Sequence, residues 1–334
     1  MYFIPKTFPY LEITGSYKDV GLAIGKAFKN DIQRAVQKTQ QSISRYSTYL
    51  EKIDPYYTAT RKTFPHLILE LEAIATGARV PIKDFFLLNC REIYDPEESF
   101  VHCTAVVGFN PDGIILGQNE DWCSGSIDDL YLLKATIGDT SFFGLTYKAE
   151  IPGISVNLNN WGLAQCLNDL YQPTRVGVPK NFVARAILEC KSLKEVDHLM
   201  QTTPHSSGFN HVVAQYNTSI NYEVAGDTIS QQIIDQVPFV HTNHYLAKDL
   251  VKFEKLPTQD SVARHNRAME LTKPVMGLQD IKNILSDTKD TKFPICNSDC
   301  TLGSVIVIPS KKEVHICYGH PCAGTYVKYS VDMI

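Results

Sequence analysis

The chain has 334 residues, 44% of them hydrophobic, enough to bury the core of one large domain or two small ones. Its net charge of -4 and isoelectric point of about 6.2 give no electrostatic reason to expect a nucleic-acid partner. No apolar run reaches the roughly 18 residues of a membrane span, and the first residues lack the pattern of a signal peptide. The nine cysteines lack zinc-site spacing, so most are interpreted as reduced, buried thiols of a cytoplasmic protein.

The first third of the chain has the periodicity of amphipathic helices. Helical patterning is predicted over 16–50 and 56–78, and a short third helix over 84–89. Residues 95–99 are polar and include a proline, which predicts an exposed loop just before Cys103.

From Cys103 onward the pattern changes to that of strands. Residues 104–109 and 114–118 flank an Asn-Pro-Asp-Gly turn at 110–113, which is a strong β-hairpin pattern. Further strands are predicted over 130–137, 141–148, 153–158, 209–216, 220–225, 231–233, 237–241, 301–309, 313–318 and 324–330, and further helices over 181–190, 193–201, 259–271 and 277–287. This succession, without a repeat or a linker, favours one α+β domain over residues 1–334 with layered sheets and helices.

The hairpin gives Cys103 a chemical context. Antiparallel pairing places residues near 119–121 opposite residues near 102–104, so Asp121 is expected close to Cys103. If the bond before Cys103 were cut, its own α-amine, with an ordinary pKa of about 7.7–8.0, would lie within reach of its thiol as a general base. Asp121 could hold that amine, and the amide of Asn243 could donate to a developing oxyanion.

Three segments together resemble a known family: Cys103-Thr104-Ala105, then Gly117-Gln118-Asn119-Glu120-Asp121-Trp122, then His241-Thr242-Asn243-His244-Tyr245. In this order they are similar to the cysteine-peptidase family of N-terminal nucleophile hydrolases that includes isopenicillin N acyltransferase. That family is related to choloylglycine hydrolase and penicillin V acylase. The similarity extends to 69–75, 88–92 and 319–321, and so covers nearly the whole chain.

The resemblance implies a four-layer αββα sandwich of antiparallel sheets. It also implies autocatalytic cleavage between His102 and Cys103, which gives a helical fragment 1–102 and a catalytic fragment 103–334 that remain associated.

The family roles carry over by position. Cys103 would be the nucleophile, its freed amine the base, Asp121 the residue that steadies the amine, and Asn243 the oxyanion donor. Some relatives also use a late arginine in the site, for which the sequence offers no clear equivalent.

Substrate contacts are predicted at Asn119, Asn157 and Trp122, although the two amides also suit backbone hydrogen bonding and the indole suits a core. No cofactor is expected. His241 and His244 have no third ligand at a recognisable spacing, so no metal is expected either.

The favoured function is hydrolysis of a linear amide, such as a small N-acyl amine or acyl amino acid, through a thioester on Cys103. Transfer of the acyl group to a second amine is the first alternative. A non-catalytic, uncut binding protein on the same fold is the second, because His102 stands where glycine is common in the family. A cysteine protease with a separate base among His211, His241 and His244 is the third. The sequence leaves open whether the chain forms a homo-oligomer.

Overall fold

The computed structural model describes residues 5–94, 103–170, 174–254 and 258–330, which fold into two β-sheets with helices on their outer faces. The predicted loop over 95–99 and His102 lie outside these residues. The strands are β1 (Tyr10–Thr14), β2 (Thr104–Asn110), β3 (Gly113–Asp121), β4 (Leu130–Ile137), β5 (Thr140–Tyr147), β6 (Asn157–Asn159), β7 (Leu163–Asp169), β8 (Phe209–Gln215), β9 (Thr218–Ala225), β10 (Thr228–Ile234), β11 (Phe239–His241), β12 (Thr301–Ile308), β13 (Glu313–Tyr318) and β14 (Tyr326–Ser330). The helices are α1 (Tyr17–Ala27), α2 (Lys29–Ser42), α3 (Tyr46–Lys52), α4 (Asp54–Thr63), α5 (Pro65–Ala78), α6 (Ile82–Leu88), α7 (Lys180–Ile187), α8 (Leu193–Thr202), α9 (Gln259–Leu271) and α10 (Leu278–Leu285).

The strands divide into two sheets. The larger has the spatial order β1-β4-β5-β6-β7-β8-β9-β10, and the smaller has the order β11-β2-β3-β12-β13-β14. Neighbouring strands pair antiparallel except for β1 and β4, which are parallel. The predicted hairpin is therefore confirmed as β2 and β3, at the centre of the smaller sheet.

Three apolar clusters separate four layers. One lies between the sheets and includes Ala105, Leu116 and Leu145. A second lies between the larger sheet and α1, α2 and α4–α8, and the third lies between the smaller sheet and α9 and α10. This layering confirms the αββα prediction. Among the described residues, no helix has the length and apolar character needed to cross a bilayer.

Helices α1 and α5 pack with almost no space between their backbones. A Cβ atom added at Gly25 would lie 2.1 Å from the carbonyl oxygen of Ile74, and one added at Gly77 would lie 2.7 Å from that of Leu22. Only glycine permits this approach, because any other side chain would overlap the facing backbone.

The part of the chain before Cys103 is tied closely to the part after it. β1 forms an edge of the larger sheet against β4. Glu70 on α5 and Arg185 on α7 form a fully buried ion pair, with an Nη2–Oε2 distance of 2.8 Å. The main-chain N–H of Ile151 donates to Oδ1 of Asn89 at 2.7 Å. These contacts would hold two fragments together if the chain were cut between them.

Most predicted elements have their predicted type, and the differences have local causes. The strand over 130–137 and the helix over 259–271 coincide with β4 and α9. The region 16–50 contains three helices rather than a continuous one, and Arg45 adopts a left-handed φ of 66° at the start of α3. The strand predicted over 153–158 is shorter, because only β6 pairs with its neighbours.

Candidate active site

Cys103 directly precedes β2, between the ends of two neighbouring strands. Thr104 pairs with Asn119 on β3, and Ala105 pairs with His241 on β11. Continuing these registers places Glu120 across from Cys103 on one side and Asn243 on the other. The prediction that residues 119–121 face this end of β2 therefore agrees with the register, although the directly opposed carboxylate is Glu120 rather than Asp121.

Side chains from this end of the smaller sheet point to two different faces. Ala105 belongs to the apolar cluster between the sheets, and Cys103 has the same orientation because side chains alternate along a strand. Glu120 shares that inner face. Asn119 and Asp121 point the other way, toward the layer of α9 and α10, since the amide of Asn119 donates to the carbonyls of Leu285 and Ile295 at 2.8 and 3.0 Å.

Cys103 is buried, with 3% of the residue exposed. Burial raises its pKa well above the usual value, and the nearby charges of Glu120 and Asp121 act in the same direction. A hydrogen bond from the main-chain N–H of Asp121 and the positive charge of Arg264 oppose them more weakly. The thiolate is therefore a minor species at neutral pH, so nucleophilic attack needs a nearby proton acceptor.

Asp121 is a buried acid without a good partner. It is 0% exposed, and neither carboxylate oxygen has a hydrogen-bond partner of normal geometry among the described residues. Burial raises its pKa to about 8, against the weaker opposing effects of Arg264 and the Thr301 side chain. A buried carboxyl group without hydrogen-bond partners could form an ion pair with a cation, such as an ammonium group.

Arg264 on α9 is the principal residue that sequence reasoning missed. Its Nη1 donates to the carbonyl oxygen of Cys103 at 2.8 Å and to Oγ1 of Thr104 at 2.9 Å. Its Nη2 donates to Oδ1 of Asn243 at 3.1 Å and to Oδ2 of Asp260 at 3.0 Å. One guanidinium thus joins Cys103 to Asn243. In the sequence, Arg264 and Asp260 four residues earlier resemble an ordinary ion pair on the surface of a helix. Only the burial of Arg264, which is 1% exposed, distinguishes it from such a pair.

Asn243 is held by several neighbours. Its Nδ2 donates to the carbonyl of Asp169 at 3.2 Å while Arg264 binds its Oδ1. Its main-chain N–H donates to Oγ of Ser261 at 2.7 Å. An amide nitrogen carries two hydrogens, so one remains for a further acceptor.

The predicted substrate-binding residues are dispersed. Both amide hydrogens of Asn119 are engaged on the outer face, away from the thiol. Asn157 lies in β6 of the larger sheet, where its Nδ2 donates to the carbonyl of Ser155 at 3.1 Å. Trp122 follows β3 and stacks against Arg91, whose guanidinium carbon lies 3.7 Å from the ring centroid. Substrate binding by the three residues stays a prediction.

The three histidines considered as alternative bases, His211, His241 and His244, are poorly suited to that role. Both ring nitrogens of His241 are engaged, one with Glu223 at 2.8 Å and one with the carbonyl of Thr242 at 2.6 Å. Burial lowers the pKa of His211 to about 3 and that of His244 to about 4, so both are very weak bases at neutral pH. No group of three or more metal-ligating side chains is found within the described ranges.

A cavity of about 380 Å³ opens beside the other edge of β3. Its lining includes Cys300, Thr301, Leu302, Tyr318 and His320 but not Cys103. Thr301 pairs with Asp121 in the sheet, which places this cavity two strands away from the thiol.

The four-layer fold, with a cysteine at the start of a central strand, is the arrangement of the N-terminal nucleophile hydrolases. The sequence model of the acyl-coenzyme A:6-aminopenicillanic acid acyl-transferase family matches residues 109–322, more than half of the chain. The chain belongs to this family. The family resemblance read from the sequence is therefore confirmed, although the matched region begins after Cys103.

Two curated relatives extend the match across most of the chain. The acyl-coenzyme A:6-aminopenicillanic-acid-acyltransferase 40 kDa form of Emericella nidulans is 24% identical over 305 residues, 85% of this chain and 83% of the relative. The β-alanyl-dopamine/carcinine hydrolase of Drosophila melanogaster is 22% identical over 345 residues, 89% of this chain and 87% of the relative. Both relatives are enzymes, one named for acyl transfer and one for hydrolysis, which supports an enzymatic function in this chain.

Proposed function

We propose that this protein is an amidohydrolase that cleaves a linear C–N amide bond through a thioester on Cys103, after self-cleavage of the bond between His102 and Cys103. Cleavage makes Cys103 an amino terminus, so that its amine takes the thiol proton as the sulfur attacks the carbonyl carbon. The amine then returns that proton to the leaving amine, and water hydrolyses the thioester.

The observation that supports the proposal is the position of Cys103 between Asn243, in the register of β11, and Asp121, which follows its register partner Glu120 on β3. Arg264 binds both the Cys103 carbonyl and Oδ1 of Asn243, and the second hydrogen of the Asn243 amide nitrogen is available to an acceptor at this end of β2. A donor of this kind contributes about 2.7–4 kcal/mol to stabilising an oxyanion. Asp121 supplies the buried carboxylate that an ammonium group would need.

The raised pKa of the Cys103 thiol supports a mechanism in which the base is the α-amine that cleavage releases. Burial raises the pKa of Cys103, and His211, His241 and His244 are either engaged in hydrogen bonds or very weakly basic. The freed α-amine has an ordinary pKa of about 7.7–8.0, close to working pH. This argument favours the self-cleaved enzyme over a protease with a separate histidine.

Hydrolysis requires only water to resolve the thioester, whereas acyl transfer requires a second site for an amine. The relatives' names include both outcomes. Adding a primary amine during turnover separates the two, since a transferase forms the new amide at the expense of the free acid.

The experiment that tests the proposal combines denaturing electrophoresis, amino-terminal sequencing and mass spectrometry of the protein after exposure to a panel of acyl amides. We expect bands for fragments 1–102 and 103–334, a new terminus beginning Cys-Thr-Ala, and an acyl adduct on Cys103. Cys103→Ala should remain one chain and turn over no amide. Amidase activity of this variant above a blank would refute the mechanism, and an uncut, adduct-free wild-type protein would support the binding-protein alternative.

A further inference from the structure

Glu120 is a buried carboxylate on the same face of the sheet as the Cys103 thiol, and the proposed mechanism does not use it. It is 5% exposed and stands across from Cys103 in the register of β2 and β3. Three side chains donate to it: Tyr147 to Oε1 at 2.8 Å, Ser155 to Oε2 at 2.6 Å and Gln118 to Oε2 at 3.0 Å.

These donors hold the carboxylate in a fixed position between the two sheets. Gln118 is itself anchored, because its Oε1 accepts from the main-chain N–H of Leu167 on the larger sheet at 2.8 Å. Ser155 has a φ of 149°, a backbone conformation that side-chain-bearing residues rarely adopt. Strain of this kind persists where the surrounding structure enforces it, and it concentrates at functional sites.

Burial raises the pKa of Glu120, the hydrogen bonds from Ser155, Tyr147 and Gln118 oppose this effect, and no positive partner lies beside it among the residues that the structure describes. The groups around it are Cys103, Asp121, Tyr147, Glu150 and Cys166, and its charge raises the pKa of each. None of them is a cation. Two donors occupy Oε2 and one occupies Oε1, whereas a carboxylate offers about four acceptor positions. Oε1 therefore keeps an acceptor position for another donor.

In its ionised form Glu120 disfavours the thiolate that catalysis needs. A cation bound at Glu120 would remove that effect. The acyl group stays on the sulfur through the thioester stage, and the sulfur faces the same space between the sheets as Glu120. A cationic acyl group would therefore bring its own positive charge to this carboxylate.

We infer that Glu120 is a specificity-determining residue that binds a positively charged amino group on the acyl part of the substrate. This inference rests on the proposed function of Cys103. Glu120 would favour those N-acyl amines whose acyl group carries an amine, and it would disfavour anionic acyl groups.

The first test needs no knowledge of the substrate. Cys103 in the mature protein is modified with aminoethyl, propyl or sulfonatoethyl methanethiosulfonate, and the rate at the Cys103 peptide is followed by mass spectrometry. We expect the wild type to react at least tenfold faster with the cationic reagent than with the neutral one, and most slowly with the anionic one. In Glu120→Gln the cationic-to-neutral ratio should fall about tenfold.

The matched control is Glu150→Gln, another buried acid of this cluster, whose charge Arg91 and Lys180 already oppose. Its ratio should stay within about twofold of wild type. If Glu120→Gln does not fold, Glu120→Asp should keep the preference for the cationic reagent, and Tyr147→Phe should weaken it at pH 7 and restore it at higher pH. A ratio near one in the wild type, or an unchanged ratio in the Glu120 variant, overturns the inference.

The second test uses coumarin amides with a 3-aminopropanoyl or a butanoyl group, which differ only in the terminal amine. We expect kcat/KM to favour the aminopropanoyl amide at least tenfold in wild type and about equally in Glu120→Gln. Equal turnover of both amides by wild type would refute the inference and leave the proposed function intact. If neither amide forms a thioester on Cys103 while the reagent preference persists, the proposed function fails instead.

Discussion

Arg264→Lys tests whether one guanidinium sets the geometry of the candidate site. The fork of Arg264 reaches Cys103, Thr104 and Asn243 at once. A lysine ammonium retains the charge but lacks the planar fork, so it cannot bind both sides together. Each buried acceptor left without a donor costs about 1–3 kcal/mol. Arg264 serves three such acceptors, and the total stability of a folded domain is only about 5–15 kcal/mol. Arg264→Ala would therefore remove a large part of the stability and put folding at risk, so lysine is the informative replacement.

The catalytic effect follows from the freedom that Asn243 gains. Without Arg264, the carboxamide of Asn243 keeps only the bond from Nδ2 to the carbonyl of Asp169. Complete loss of an oxyanion donor lowers kcat by about 10²–10³, so we expect a fall between about tenfold and that limit with little change in KM. The assay measures kcat and KM on the best amide of the panel, together with the free energy of unfolding in urea.

The matched control is Arg267→Lys on the same helix. Arg267 also binds a carboxylate with two nitrogens, at 3.0 and 2.8 Å from Asp287, but none of its hydrogen bonds reaches Cys103 or Asn243. Its kcat should equal that of the wild type. If Arg264 acts through Asn243, adding Arg264→Lys to Asn243→Ala should slow the enzyme little further. Equal kcat in the two lysine variants, or full additivity in the double variant, would refute this reasoning.

Three further predictions concern stability. In the intact chain Asp121 has a folded pKa of about 8 against an ordinary 3.8, so the folded state holds a proton that the unfolded state releases between these values. The stability of uncut Cys103→Ala should therefore fall as pH rises through this window, and urea titrations should find a shallower fall when Asp121→Asn is added. Glu70→Ala removes the fully buried partner of Arg185 and leaves it only the ion pair with Glu189 at 3.0 Å. Breaking a buried pair costs up to about 3–5 kcal/mol, so size-exclusion chromatography of the mature protein should show fragment 1–102 separating at lower urea than in wild type. Gly25→Ala forces apart the backbones of α1 and α5 and should lower the free energy of unfolding by about 1–3 kcal/mol, whereas unchanged urea midpoints would contradict the packing argument.

Local patterns in the sequence contained most of the fold. The hairpin of β2 and β3 follows from a turn that only a few residue types form, and α9 follows from its own periodicity. β1 was not predicted, because a short edge strand is stabilised by the partner it finds and not by its own pattern. Its parallel pairing with β4 joins residues more than a hundred positions apart.

The candidate site was only partly predictable for the same reason. The hairpin register locates Asp121 near Cys103 from sequence spacing alone, because both lie in one local unit. Arg264 reaches Cys103 from a helix 161 positions away, and no local pattern encodes that contact. Spacing also could not reveal which carboxylate shares the face of the thiol, since a shift of one residue exchanges Glu120 and Asp121.

The buried acids around Cys103 give the proposed cleavage a thermodynamic consequence. In the intact chain, burial raises the pKa of Asp121 to about 8, so this carboxyl is mostly protonated at pH 7. An ammonium group within about 4–6 Å lowers a carboxyl pKa by about 1–3, so release of the Cys103 amine would favour ionisation of Asp121 and pair the two charges. Stability of the cleaved protein should then fall less between pH 6 and 8 than that of uncut Cys103→Ala. Because Glu120 and Glu150 also have raised pKa values, the slope of stability against pH should be smaller in the cleaved protein but should not vanish. Identical slopes in the cut and uncut proteins would show that Asp121 does not pair with the new amino terminus.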